Sequence, residues 1–201
     1  MSFIGHNHSL PPAGRTPAPV REIEMRCCMA QKDFSFTAYD NAICFANAFR
    51  LLNSKSNILA LMQSHSASDA SLAMPTIVNG AFACELFLKA LLKEPPHSGK
   101  EAHSLVSLLN QYDLEQPGKR ERIMQACIQV MNNAHRDDKY DEAAFQRDLQ
   151  VMDTAFMNVR YWHEPKKPGF DQTYNLGFLI VLIEVLQLEC SKAHGKSVFQ
   201  S

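Results

Sequence analysis

From Thr37 onward apolar residues recur at three- and four-residue intervals, the spacing that lines one face of an α-helix, and no window alternates in the two-residue rhythm of a strand. The pattern predicts an all-α protein. The first periodic segment, about Thr37 to Gln63, puts Ala38, Ala42, Phe45, Phe49, Leu52, Ile58, Leu59 and Met62 on a stripe, with a kink expected at "NSKSN". "SASDAS" offers N-caps for a second helix reaching about Lys93, with Pro75 expected in or near its first turn. A short helix begins at His103, and a third long helix spans about Arg120 to Met131. A fourth spans about Glu142 to Trp162, with Phe145, Leu149, Met152, Phe156 and Val159 on its inner stripe.

The last helix, about Gln172 to Lys192, is apolar nearly all round. Its run from Asn175 to Cys190 is shorter than the roughly 20 residues a bilayer requires, and it carries Glu184, so it reads as a central core helix. Such helices, joined by modest loops, pack most economically as an antiparallel up-and-down bundle of four to five helices with a short extra helix. Residues 1–35 hold four of the ten prolines and little periodicity, which predicts a disordered or extended arm. The bundle is expected over 36–193 and a flexible tail over 194–201.

Composition narrows the function classes. The 201 residues suffice for one sizeable domain, and a net charge of −1 supplies no overall field that would draw the chain onto nucleic acid or an anionic membrane. The local basic runs "GKRER" (118–122) and "PKKPG" (165–169) are expected mainly as solvated loops. Cys44, Cys84, Cys127 and Cys190 fall inside helical apolar patterns, where a free thiol behaves as a small hydrophobe, and this predicts reduced cysteines in a cytoplasmic protein. Cys27 and Cys28 lack a second cluster at ligand spacing, and His6 and His8 lie in the arm, so no metal or cofactor is expected.

Two stretches carry candidate chemistry. In "FACELFLKALLKE", Glu85 and Lys89 sit one turn apart on a helix face shared with Val78, Ala81, Phe82 and Leu92, so both charges need partners. In "NVRYWHEP", Arg160 and Glu164 are one turn apart, and Gln146 and Asp153 extend the same polar ridge. His163 falls on the apolar side near Phe156, while Tyr161 and Trp162 add aromatic surface with polar handles. The economical pairing joins Glu85 to Arg160 and Lys89 to Glu164, or the reverse, across a helix contact.

"PTIVNGAFACELFLKALL", then "EAHSLVSLL", then "VRYWHE" before a final apolar helix together resemble the HEPN superfamily of small prokaryotic helical bundles, over roughly residues 37–192. The resemblance implies a four- to five-helix bundle, commonly homodimeric, belonging to metal-independent ribonucleases or to their inactive RNA- or nucleotide-binding relatives. It further implies that Glu85, Lys89, His103, Arg160, Tyr161 and Glu164 converge. The superfamily's nuclease motif is an arginine, four to six residues, then a histidine. Here two residues separate Arg160 from His163, which predicts a divergent, non-catalytic or weakly catalytic module of a defence or toxin–antitoxin type system. A nucleotidyltransferase or an antitoxin is the expected protein partner. Two other readings stand beside it: an active ribonuclease using His163 or His103 as acid–base group with Arg160 stabilising the transition state, and a dimeric scaffold whose polar cluster is purely structural.

Overall fold

The computed structural model describes residues 37–54, 67–134, 139–160 and 174–195, with the side chains at 67–74, 154 and 156–160 left undescribed. Six helices and one 3₁₀ turn account for most of these residues, and there is no strand among them: α1 (37–52), α2 (Ala67–Leu91), the 3₁₀ turn (Lys100–His103), α3 (Leu105–Glu115), α4 (Lys119–Ala134), α5 (Glu142–Arg160) and α6 (Leu176–Ala193). The expected all-α architecture is the observed one.

The two most apolar helices form the centre. α2 and α6 run in the same direction, since Gly80 meets Leu179, the Cys190 thiol donates to the Phe87 carbonyl at 3.3 Å, and His194 Nε2–H donates to the Ala90 carbonyl at 3.2 Å. α5 packs against α2 and α3: Phe145 near its start lies edge-on to Phe178, with ring centroids 5.5 Å apart, while Ala155 near its end clusters with Ile77 and Ala81. α3 and α4 close the remaining side, α4 against α6 and α3 against α2. A main core results, with Tyr112, Phe49, Phe87, Phe145 and Phe178 almost wholly buried, and a smaller cluster of Ile77, Ala81 and Ala155 adjoins it through Tyr174 and Leu176.

Gly80 sets the spacing at this centre. A Cβ there would lie 2.5 Å from Leu179 Cδ2 and 2.9 Å from Phe49 Cδ2, so α1, α2 and α6 reach this separation only because the position has no side chain.

Helix starts are fixed by side chains from neighbouring turns. Ser104 Oγ accepts from Ser107 N at the start of α3, Asp141 Oδ1 from Ala144 N at α5, and Asn175 Oδ1 from Phe178 N at α6. Asp113 reaches across the short connection to accept from Arg120 N at α4. Between α4 and α5, Asn132 exchanges two hydrogen bonds with the backbone of Tyr140, closing the connection as an amide pair.

Several sequence expectations are refined. Pro75 lies in the ninth position of α2, not in its first turn, because the helix begins at Ala67; Asn79 Nδ2 donates to the Pro75 carbonyl at 2.7 Å. Cys44 faces solvent, since the buried stripe of α1 runs through Ala38, Ala42, Ala46 and Phe49 and turns residue 44 outward, whereas Cys84, Cys127 and Cys190 are buried. Burial pushes the Cys84 and Cys190 thiols up and the Cys127 thiol up to about 12, so these three are packing groups rather than thiolates. Phe145, Leu149 and Met152 occupy the inner face of α5 as expected. His194, assigned by sequence to the tail, docks against α2 and lies beside the Tyr39 ring.

Gly80→Ala tests the central spacing. Its overpacking cost of about 1–3 kcal/mol outweighs the gain of about 1 kcal/mol from helix propensity, so urea unfolding is expected to show a lower midpoint. An unchanged or higher midpoint would show that Leu179 and Phe49 yield freely.

Candidate functional site

Glu85 is carried into the interior by α2, with its side chain 4% exposed. Its neighbour one turn on, Lys89, donates to Glu85 Oε1 at 2.7 Å, with the acid N-terminal to the base, the favourable order on a helix. His103, the last residue of the 3₁₀ turn, places Nδ1 3.0 Å from the same oxygen, and its side chain is 53% exposed. A carboxylate paired with lysine only accepts, so Nδ1 carries the proton and the imidazole is aimed by a buried acid. The group combines an inner anchor with an outer ring that reaches solvent.

The turn bearing His103 is itself tied to α5. Ser104 Oγ donates to Asp153 Oδ2 at 3.1 Å, and Val106 N donates to Asp153 Oδ1 at 3.1 Å. Sequence reading put Asp153 on a polar ridge with Gln146. Of that ridge the described side chains are Gln146 and Asp153, and both are engaged: Gln146 Oε1 accepts from Arg120 Nη2 at 2.9 Å, and Asp153 caps α3 from another helix.

Of the residues expected to converge, the structure brings together Glu85, Lys89 and His103. Arg160 is the last residue of α5, and its side chain is not among those described; Tyr161, His163 and Glu164 lie outside the described residues. The inward charge of Glu85 is answered within its own helix and by His103.

A second polar cluster was not singled out by sequence. Glu189 on α6 is buried, and its Oε1 accepts from Tyr112 Oη at 3.1 Å, from Lys119 Nζ at 2.8 Å and from Arg122 Nη2. Lys119 and Arg122 stand in the first turn of α4, so two of the cations in "GKRER" are paired with Glu189 at a helix start rather than forming a free basic loop, although Arg122 stays half exposed. The signal was present in the spacing: Glu189 follows the buried Leu182 and Leu186 at intervals of four and three, whereas Glu184, which drew attention, lies on the exposed side. Burial by itself pushes the Glu189 carboxyl up, but the hydrogen bonds and charges of Arg122 and Lys119 outweigh it and hold it at about 2 against an ordinary 4.5. Burial, then the adjacent Glu189 charge, pushes the Tyr112 phenol up. A similar environment acts on Tyr140, whose hydroxyl donates to Asp148 at 2.9 Å and whose phenol is pushed up by burial and that carboxylate.

Among the described residues no group of three or more His, Cys, Asp or Glu is arranged to hold a metal ion, and no helix is long and apolar enough to cross a membrane. No family model, curated protein or solved structure matches the chain.

The depressed carboxyl of Glu189 gives stability a defined pH dependence. Its contribution is complete above about 4.5 and is lost as pH falls through about 2. Glu189→Gln is expected to lower stability by roughly 2 kcal/mol at neutral pH, the scale of hydrogen bonds to a charged group, and to converge with the native chain near pH 2. Denaturant titrations of both proteins between pH 7 and 2 check this; a constant difference across that range would remove Glu189 as the titrating group.

Proposed function

We propose that this chain is an RNA- or nucleotide-binding helical bundle of HEPN type, non-catalytic or weakly catalytic, serving a defence or toxin–antitoxin type system as a homodimer. Its phosphate-contacting group is His103. The observation that supports the reading is the Glu85–His103 pair: a buried carboxylate, neutralised by Lys89, holds a half-exposed imidazole in one orientation. A half-exposed imidazole oriented through Nδ1 suits recognition of an anion, to which a protonated ring adds a charge-assisted hydrogen bond. The same geometry suits general acid–base catalysis, which is the ribonuclease form of the proposal.

A second reading has its own support. Glu85 and Lys89 satisfy each other within one helix, which is what a purely structural element of a dimeric scaffold requires.

Thermal melting with AMP, GMP and a short single-stranded RNA separates the two. Under the binding reading these ligands raise the native midpoint by mass action, equivalent to about 2.7 kcal/mol at a hundredfold excess over Kd. His103→Ala then keeps its unliganded midpoint and loses most of that rise. If no ligand moves the native midpoint while Glu85→Ala melts far lower, the scaffold reading stands and the binding reading falls. Cleavage of the RNA without added metal, absent in His103→Ala, would identify the catalytic form.

A further inference from the structure

The 3₁₀ turn that presents His103 is weakly held by its own bonds. Ala102 N to Gly99 O is 3.3 Å and Ser104 N to Glu101 O is 3.4 Å, both long. Of its four residues only Ala102 is buried, and a 3₁₀ segment this short has little intrinsic stability. Some other element must hold His103 within 3.0 Å of Glu85.

Asp153 is one such element, acting on the residues that follow the turn. Its two oxygens take separate donors on the residues that follow the turn: Oδ2 accepts the Ser104 hydroxyl and Oδ1 accepts the Val106 amide, a group at the start of α3 that has no partner within the helix. With its proton directed to Asp153, Ser104 Oγ offers a lone pair to Ser107 N at 3.1 Å, so one carboxylate fixes the Ser104 rotamer, the cap and the direction in which the chain leaves the turn. His103 is bonded directly to Ser104. Few soft torsions therefore separate the anchored cap from the imidazole, and the position of α5 is passed to the ring.

We propose that Asp153 is a positioning residue for His103, acting through Ser104 and Val106 to set the imidazole on Glu85. Its importance for binding rests on the proposed function; its effect on the ring does not. The consequence is that α5 and α2, which contribute a carboxylate each, jointly define the site.

The experiment is long-range ¹H–¹⁵N correlation of the histidine rings at a pH where they are neutral, which reports the nitrogen bearing the proton. In the native chain His103 is expected to show the Nδ1–H form imposed by Glu85. Asp153→Asn retains an oxygen for Val106 N–H but presents no second acceptor to Ser104, so it keeps the fold and moves His103 toward the Nε2–H form. Asp153→Ala moves it further. Asp148→Asn, on the same helix and bonded to Tyr140 and Asn175, is the control: it lowers stability and leaves the His103 signature native. A native signature in both Asp153 variants, or an equal change in Asp148→Asn, overturns the proposal. AMP titration of the same proteins keeps the two claims apart. Binding roughly tenfold weaker in Asp153→Asn links positioning to function, whereas a native chain that ignores AMP removes the functional reading and leaves the ring spectra to judge Asp153.

Discussion

Two carboxylates, Glu85 and Glu189, are carried into the interior on α2 and α6, the helices that form the centre of the bundle. An ion removed from water costs several kcal/mol unless partners replace its hydration, so the surroundings of these acids constrain how the outer elements join. Their solutions differ. Glu85 takes its first cation from its own helix, and only His103 is brought in from outside. Glu189 takes both cations from α4 and a hydroxyl from α3, so its neutralisation holds α3, α4 and α6 together. A carboxylate answered within one helix leaves an adjacent group available for other work, whereas one answered by three donors on two other helices acts as a fastener.

The helix caps follow the same logic. Asp153 on α5 serves α3, Asp113 on α3 serves α4, and Asn175 both caps α6 and donates to Asp148 on α5 at 2.7 Å. Each of these groups makes helix initiation depend on the placement of a neighbouring segment. The cross-segment bonds of the caps and the close contacts at Gly80 tie the interior together, and that constraint reaches the 3₁₀ turn through Asp153, the turn's own hydrogen bonds being long.

This arrangement also redistributes charge. Lys119 and Arg122 pair with Glu189, and Arg120 is engaged with Gln146, so each cation of the "GKRER" run has a partner within the bundle. With a net charge of −1 there is no general field to compensate. Under the proposed function a phosphate would be recognised by a few placed groups, and among the described residues the Glu85–Lys89–His103 set presents an oriented, half-exposed imidazole.

The helical class, the order of the described helices and the buried residues Ala38, Ala42, Phe49, Phe145, Leu149 and Met152 were legible in the periodicity, because burial of one helix face leaves a 3.6-residue signature in the chain itself, although α1 ends at 52 where the pattern suggests about Gln63. The expected partners of Glu85 and Lys89 were Arg160 and Glu164, whereas the structure joins the two to each other within one turn of α2. The sequence also marked Glu85 and Lys89 as charges in an apolar setting, but it could not choose their partners, because residues four apart and residues eighteen apart satisfy the same electrostatic requirement. Tertiary structure alone placed His103 beside Glu85, turned Lys119 and Arg122 onto Glu189, and gave Asp153 to the start of α3. Those are contacts between segments remote along the chain, and they follow from how the helices pack, which a period along one helix does not encode.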